Sequence, residues 1–288
     1  MKPPDFDYQA PDSLEGAVGA LASAPRARVI AGGQSLVPLL SRRLISPALL
    51  IDLRRIRGLD EISVRDDTIR VGAMVTQWTA EHEPEIDIHA PLLARALRHV
   101  GHPHTRVLGT IGGSVAYADP GAELPAILLA LDGTAHASGP DGPRAIPASE
   151  LYLGAFRTSL APDEILTSIE LPATPAPGVG VACVEAAARA DVTLSGAVAQ
   201  VWTSDTGTVI DCRIGLFGVG DRPVRALEAE RAVAGGAEPQ SIEAIVAEAL
   251  VAEGFGDDGY RCHLAAVLAR RAVTAALHQT RDQDGGHH

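Results

Sequence analysis

Val29-Ile-Ala-Gly-Gly-Gln-Ser35 runs a β-branched pair into two adjacent glycines and two polar side chains, and the apolar segment Leu36 to Leu44 follows at once. The pattern reads as a strand over Arg28 to Ala31, a tight turn and a helix-like stretch. Adjacent glycines let the backbone turn sharply and bring successive N–H groups close to an anion, and Ser35 adds a hydroxyl donor. A diphosphate fits such a turn, although a Gly-Gly turn taken alone is more often a plain loop. Upstream, Asp12 and Glu15 read as a capping box opening a helix over Leu14, Val18 and Leu21 that ends near Ser23 to Pro25. Downstream, Ala48 to Leu53 reads as a strand, so the first fifty or so residues form a small parallel α/β unit.

The same design recurs in Gly109-Thr-Ile-Gly-Gly-Ser114, with Thr110 and Ser114 as hydroxyl donors. Two such nests are less easily coincidence than one, and a nucleotide with two phosphates could use the backbone N–H groups of Gly32, Gly33, Gly112 and Gly113 together. Neither segment is the GxGxxG dinucleotide fingerprint, and Gly218-Val-Gly220 leads into Asp221-Arg-Pro223 rather than a helix-opening glycine. A Rossmann reading therefore fails. His99, His102 and His104 could suggest a metal, but Pro103 breaks their helical spacing and no carboxylate or thiol stands beside them, so they read as solvated loop histidines.

Between Leu59 and about Pro172 the pattern changes to short strands, such as Ile62 to Val64 and Thr68 to Val71, interleaved with helices. Pro91 suits a first helical position, with Leu92, Leu93, Ala96, Leu97 and Val100 at helical spacing. A further helix is expected over Glu123 to Leu131, ending before Gly133. Thr174-Pro-Ala-Pro-Gly178 is the best linker. Beyond it come expected strands at Ala197 to Thr203 and Val209 to Phe217, then helices around Val224 to Val233, Ile242 to Ala252 and Tyr260 to His278.

Composition narrows the chemistry. The net charge of −12 over 288 residues disfavours nucleic acid or an anionic membrane as partner, and the aromatic fraction of 3% leaves no base-stacking platform. Lys2 is the sole lysine, which excludes a Walker P-loop, a protein-kinase strand lysine and a pyridoxal Schiff base. Cys183, Cys212 and Cys262 are too dispersed for a zinc or iron–sulfur site. An odd cysteine count and a polar segment from Met1 to Ala10 point to the cytoplasm, and no apolar run approaches the roughly 18 residues of a membrane span.

Ala31-Gly-Gly-Gln-Ser35, Thr110-Ile-Gly-Gly-Ser114 and Ala118-Asp-Pro-Gly-Ala-Glu-Leu-Pro125 resemble the FAD-binding medium subunit of the molybdenum hydroxylases, the family of carbon monoxide, xanthine and aldehyde dehydrogenases. Thr158-Ser-Leu-Ala-Pro-Asp-Glu-Ile-Leu166 and Gly218-Val-Gly-Asp-Arg-Pro-Val-Arg225 are similar to its pattern too, so the resemblance spans nearly the whole chain in order. It implies an α+β fold: a two-subdomain FAD-binding fold of the vanillyl-alcohol-oxidase type plus a C-terminal α+β domain of antiparallel sheet and helices. The expected division is residues 1–57 and 58–173 for the two FAD-binding subdomains, 179–281 for the C-terminal domain, and a frayed tail at 282–288.

By matching position, the resemblance implies that Val29, Ile30, Ala31, Gly32, Gly33, Gln34, Ser35 and Leu36 wrap the diphosphate, with Thr110, Ile111, Gly112, Gly113 and Ser114 as the second nest. Glu123 falls where the family places an acid near the ribityl or ribose hydroxyls, Val100 beside the adenine, and Leu166 against the flavin or adenine plane. From the residues alone, Glu123 reads equally as a carboxylate favoured at a helix N-terminus, and Leu166 as core. The chain departs from the family pattern where Ser114 replaces a usual Asn, where Val107 replaces a frequent Asn, and where Glu185 to Asp191 is one residue short. The implied partners are an iron–sulfur small subunit and a molybdopterin large subunit in a hetero-oligomer, with FAD held non-covalently. The implied activity is an oxidoreductase relay that takes electrons from the iron–sulfur partner and passes them to an external acceptor. A self-contained flavin oxidase or reductase and a non-catalytic nucleotide-binding scaffold stand as the alternatives.

Overall fold

The computed structural model describes residues 2–174, 178–189, 192–255 and 258–284. The N-terminal unit orders β1 (Asp7–Gln9), α1 (Leu14–Ser23), β2 (Ala27–Ile30), α2 (Leu36–Ser41) and β3 (Leu49–Asp52). Its three strands lie in the order β1-β3-β2, all parallel, with Val29 beside Ile51 and Ile30 beside Asp52. Ala17, Val18 and Leu21 recur at helical spacing on α1 and bury with Leu49 and Ile51 into one apolar cluster. The cap of α1 differs from expectation. Ser13 Oγ, not the Asp12 side chain, accepts the Gly16 N–H at 3.1 Å. The helix after the glycine turn stops at Ser41, short of the expected Leu44, which is left exposed. Strand β1 carries no hydrophobic alternation and its residues are exposed, so its short parallel pairing is invisible to a periodicity reading.

The middle of the chain is built around an antiparallel five-stranded sheet. Its first half contains β4 (Ile62–Arg65), β5 (Thr68–Gly72), α3 (Gln77–His82), α4 (Pro84–His89), α5 (Pro91–Leu97), α6 (Pro103–Leu108), α7 (Ile111–Tyr117) and α8 (Glu123–Ala130). Then come β6 (Thr134–Gly139), β7 (Gly142–Pro147), α9 (Ala148–Leu151), the small β8 (Tyr152–Gly154) and β9 (Arg157–Thr158) hairpin, and β10 (Ile165–Pro172). The sheet order β4-β5-β10-β6-β7 places the last strand between two earlier ones. Leu92, Leu93, Leu97, Ile111, Leu124, Ile127 and Leu128 fill the space over it. Pro91 opens α5 as expected, but the helix ends at Leu97 and Val100 lies beyond it.

The C-terminal part packs β11 (Val179–Arg189), β12 (Val192–Thr203), β13 (Val209–Phe217) and β14 (Val224–Arg225) in that order as an antiparallel sheet. On it lie α10 (Leu227–Ala234) and α12 (Gly259–Asp284), and α11 (Pro239–Ala252) packs against those two helices. Val224, expected to open a helix, instead pairs in β14, because the helical pattern starts only after Ala226. Helix α12 continues through Asp284, so residues 282–284 of the segment expected to fray are helical, and 285–288 lie outside the described residues. Residues 175–177 of the expected linker and 190–191 of the shortened loop lie outside them as well.

Candidate functional site

In a parallel sheet, ligands gather outside the carboxyl ends of the strands. The turn Ala31 to Ser35 leaves the carboxyl end of β2, and Gly33 supplies its left-handed corner at φ +72°. No described acceptor takes the N–H groups of Gly32, Gly33, Gln34, Ser35 or Leu36. Ser35 sits at the head of α2 in helical backbone, and its hydroxyl makes no capping hydrogen bond. Gln34 folds back so that its Nε2 donates to Gly32 O at 3.1 Å. The turn therefore presents a run of uncommitted donors from a partly exposed surface, the composition of an anion cradle.

The fold brings the second glycine segment against the first. A Cβ built on Gly32 would lie 2.0 Å from Leu108 O, and one built on Gly113 would lie 3.7 Å from the Ala31 Cβ. The two segments do not contribute alike, however. Ile111 N donates to Val75 O at 2.9 Å and Gly112 N to Ala73 O at 3.0 Å. Gly113 N donates to Thr110 Oγ1 at 3.0 Å, and Ser114 N to Thr110 O at 3.2 Å. The expectation that the Gly112 and Gly113 amides form a second free nest is corrected: the segment is the first turn of α7, Thr110 is its N-cap, and the amides are already used. Glycine is needed at 112 for a different reason, since a Cβ there would stand 2.4 Å from the Ala73 Cβ. What the segment still offers is the half-buried Ser114 hydroxyl, to which no hydrogen bond is assigned.

Three residues hold this junction and were not singled out by the sequence. Gln77 N donates to Gly109 O at 2.8 Å, which ties α3 to the start of the second segment. Arg106 and Glu81 form a buried pair at 2.7 Å, and Arg106 Nη1 also donates to the carbonyls of Val100 and Gly101 at 3.1 Å each. That clamp fixes the loop between α5 and α6, and with it the half-buried Val100. Arg106 reads from sequence as one more surface guanidinium, and only its burial marks it out.

Glu123 opens α8 and is 6% exposed. Burial pushes its carboxyl up to about 7; its own backbone N–H and His99 oppose this, while Glu185 and Asp119 add to it. His99 is not a solvated loop histidine: its Nδ1 stands 3.7 Å from Glu185 Oε1, and its ring is half-buried. His102 and His104 are exposed and their rings stack at 5.3 Å. Among the described residues no three His, Cys, Asp or Glu side chains are grouped to hold a metal. Leu166 lies on β10, buried at 5% exposure in the core of the middle sheet, which leaves it almost no surface to offer an aromatic ring.

Residues 4–174 match the model of the FAD binding domain in molybdopterin dehydrogenase, and residues 180–276 match that of the CO dehydrogenase flavoprotein C-terminal domain. This chain belongs to the FAD-binding medium-subunit family of the molybdopterin dehydrogenases. It is 37% identical to the 6-hydroxypseudooxynicotine dehydrogenase complex subunit alpha of Paenarthrobacter nicotinovorans, over 98% of this chain and 97% of that one. Its identity to the carbon monoxide dehydrogenase medium chain of Afipia carboxidovorans is 35%, covering 96% and 98%. The solved carbon monoxide dehydrogenase of Hydrogenophaga pseudoflava superposes with a TM-score of 0.89 at 34% identity, covering 96% of this chain and 98% of that one. As a family member the chain is an FAD-binding subunit of an oxidoreductase complex, with the fold expected of one. Among the described residues no helix is long and apolar enough to cross a membrane.

Proposed function

We propose that this medium subunit is an electron relay, taking electrons from an iron–sulfur partner and passing them to an external acceptor, in a cytoplasmic hetero-oligomer with a molybdopterin large subunit. The single observation that carries the site is the run of uncommitted N–H groups from Gly32 to Leu36, set against the head of α7. These residues fit a diphosphate: the amides and the Ser35 and Ser114 hydroxyls are donors, and the Gly33 corner keeps side-chain bulk away from them. FAD held there would supply a two-electron store that can release electrons singly.

The chain's own residues then divide the work. Gly32 to Leu36 hold the diphosphate and Ser114 adds a hydroxyl. Thr110 caps α7 and holds Ile111, Gly112 and Gly113 in place beneath it. Glu123 is the acid facing the sugar or ribityl hydroxyls, and its raised proton affinity lets it present an O–H as well as an acceptor near neutral pH. Val100 borders the adenine side. The three cysteines are each buried singly, and desolvation raises their thiols above the ordinary range, which supports non-covalent retention of the flavin and clusters carried by another chain.

Two measurements test this reading. Acid precipitation should release all the yellow colour into the supernatant; colour left in the pellet contradicts non-covalent binding. The isolated chain should have its flavin reduced by dithionite yet turn over no substrate of the assembled complex, and turnover should appear only when both partner subunits are added. Substrate-dependent flavin reduction by the chain alone would replace the relay with a self-contained oxidoreductase.

A further inference from the structure

Away from the glycine segments, a solvent-open cavity of about 580 Å³ lies between α5, β11 and α12. Helix α12 lines it with Arg270, Arg271, Thr274 and His278, one stripe at helical spacing, and α5 contributes Arg95. Among the described residues no carboxylate lines the cavity. That is unusual company in a chain whose net charge is −12. Arg270 Nε is held by Glu243 at 3.0 Å, but no described carboxylate pairs with Arg95 or Arg271, and both guanidinia are exposed to the cavity mouth.

One polar group beside these cations, the Gln279 amide, is also left with a donor. Gln279 Oε1 already accepts the Val181 N–H of the edge strand at 2.8 Å, so the free end of that amide is its NH₂. The Thr274 hydroxyl donates back to Arg270 O at 2.8 Å, which fixes its rotamer against the helix. Val181, Ala182 and Ala275 give the remaining wall an apolar character. A concave site of a few hundred cubic ångströms, with two unpaired guanidinia from different elements and a small apolar wall, suits an organic anion better than a lone inorganic ion.

We propose that this cavity is a second ligand site, distinct from the flavin site, that binds a multiply charged small anion of the polyphosphate or polycarboxylate class. The guanidinia of Arg95 and Arg271, carried by different helices, would share the charge while Arg270 stays anchored to Glu243. Because it requires nothing of the glycine turn, the proposal stands or falls separately from the relay.

The test is isothermal titration calorimetry on the flavin-loaded chain at low ionic strength, with inorganic pyrophosphate and citrate as separate probes. We expect one site per chain for at least one probe, with the flavin absorbance unchanged. Binding of pyrophosphate alone assigns a polyphosphate, binding of citrate alone a polycarboxylate, and binding of both a site that reads charge. Arg95→Gln and Arg271→Gln should each weaken binding by about tenfold or more, as loss of a charge-assisted pair does, without loss of the fold, since both side chains are exposed. Arg281→Gln, outside the cavity, should leave it unchanged. Failure of both probes to bind, or binding that survives both substitutions, would overturn the proposal. So would binding that is lost in Gly33→Ala and kept in Arg271→Gln, because the anion would then sit at the flavin turn.

Discussion

Gly33→Ala separates the role of the glycine turn in holding flavin from its role in the fold. Gly33 sits at φ +72°, where an L side chain costs about 1–2 kcal/mol. The added methyl would meet Ile30 Cδ1 at an ordinary 3.5 Å and Val37 Cγ2 at 3.1 Å, so the β-branched Val37 must give by a few tenths of an ångström. Alanine also removes about 0.4–1 kcal/mol of unfolded-chain freedom, which offsets part of the strain. Gly207 provides the matched control: its φ is +75°, nothing lies within 4 Å of a Cβ built there, and it is remote from the site. Gly207→Ala should therefore lose stability on the order of 1 kcal/mol, about 1–2 °C in Tm for a chain of this size, and Gly33→Ala should lose less as far as its free turn relaxes. They should differ in flavin affinity. The strain that the free Gly33→Ala turn sheds by relaxing its left-handed corner must be restored when flavin binds, and 1–2 kcal/mol is about 5- to 30-fold in Kd. Fluorescence titration of the apoprotein with FAD reads this directly. Gly33→Ala should weaken binding within that range and Gly207→Ala should leave it within about twofold. Equal affinities in the two variants, with the smaller loss of Tm in Gly33→Ala, would refute the assignment of the diphosphate to this turn.

The second segment should respond differently at its two hydroxyls. Thr110→Val removes the N-cap of α7 and should cost about 1 kcal/mol of stability, read by thermal melting of the apoprotein; Ser114→Ala should leave the apoprotein's Tm unchanged and weaken FAD by roughly tenfold or more, the worth of one hydrogen bond to a charged acceptor. For Glu123 the folded-state carboxyl titrates near 7, above its unfolded value, so the folded protein binds the proton more tightly and stability falls as pH rises from about 4.5 through 7. Glu123→Gln removes that loss. Its Tm should match the parent's at pH 5 and exceed it at pH 8, and a gap that does not widen with pH would show that burial is not what holds the proton.

The two glycine segments were legible because glycine pairs next to hydroxyl residues are rare enough to stand out, and because each lies at the end of a strand or the head of a helix. What sequence could not separate was their roles. Whether Gly112 N–H faces a ligand or Ala73 O depends on β5 lying against α7, a contact made across residues 73 and 112 that no local pattern encodes. The same holds for the clamp of Arg106 on Glu81, Val100 and Gly101, since a guanidinium buries only where tertiary packing closes over it. The apolar period overshoots the helix ends at Leu44 and Val100, because apolar residues continue it past Ser41 and Leu97 and serve other contacts or lie exposed. Strands β1 and β14 escaped because they are short and borrow their stability from the neighbours they pair with, Leu49 to Ile51 and Gly215 to Leu216. The cavity between α5, β11 and α12 gathers residues far apart in the chain, so its charge is invisible until the fold assembles it.

The most direct measurement is a crystal structure of the chain with FAD bound, read at the diphosphate. The account requires phosphate oxygens within hydrogen-bond reach, about 2.7–3.2 Å, of at least two of the N–H groups from Gly32 to Leu36, while Ile111 N, Gly112 N and Gly113 N keep their bonds to Val75, Ala73 and Thr110. A diphosphate seated instead on the Gly112 and Gly113 amides, with the turn at Gly33 left empty, would contradict it.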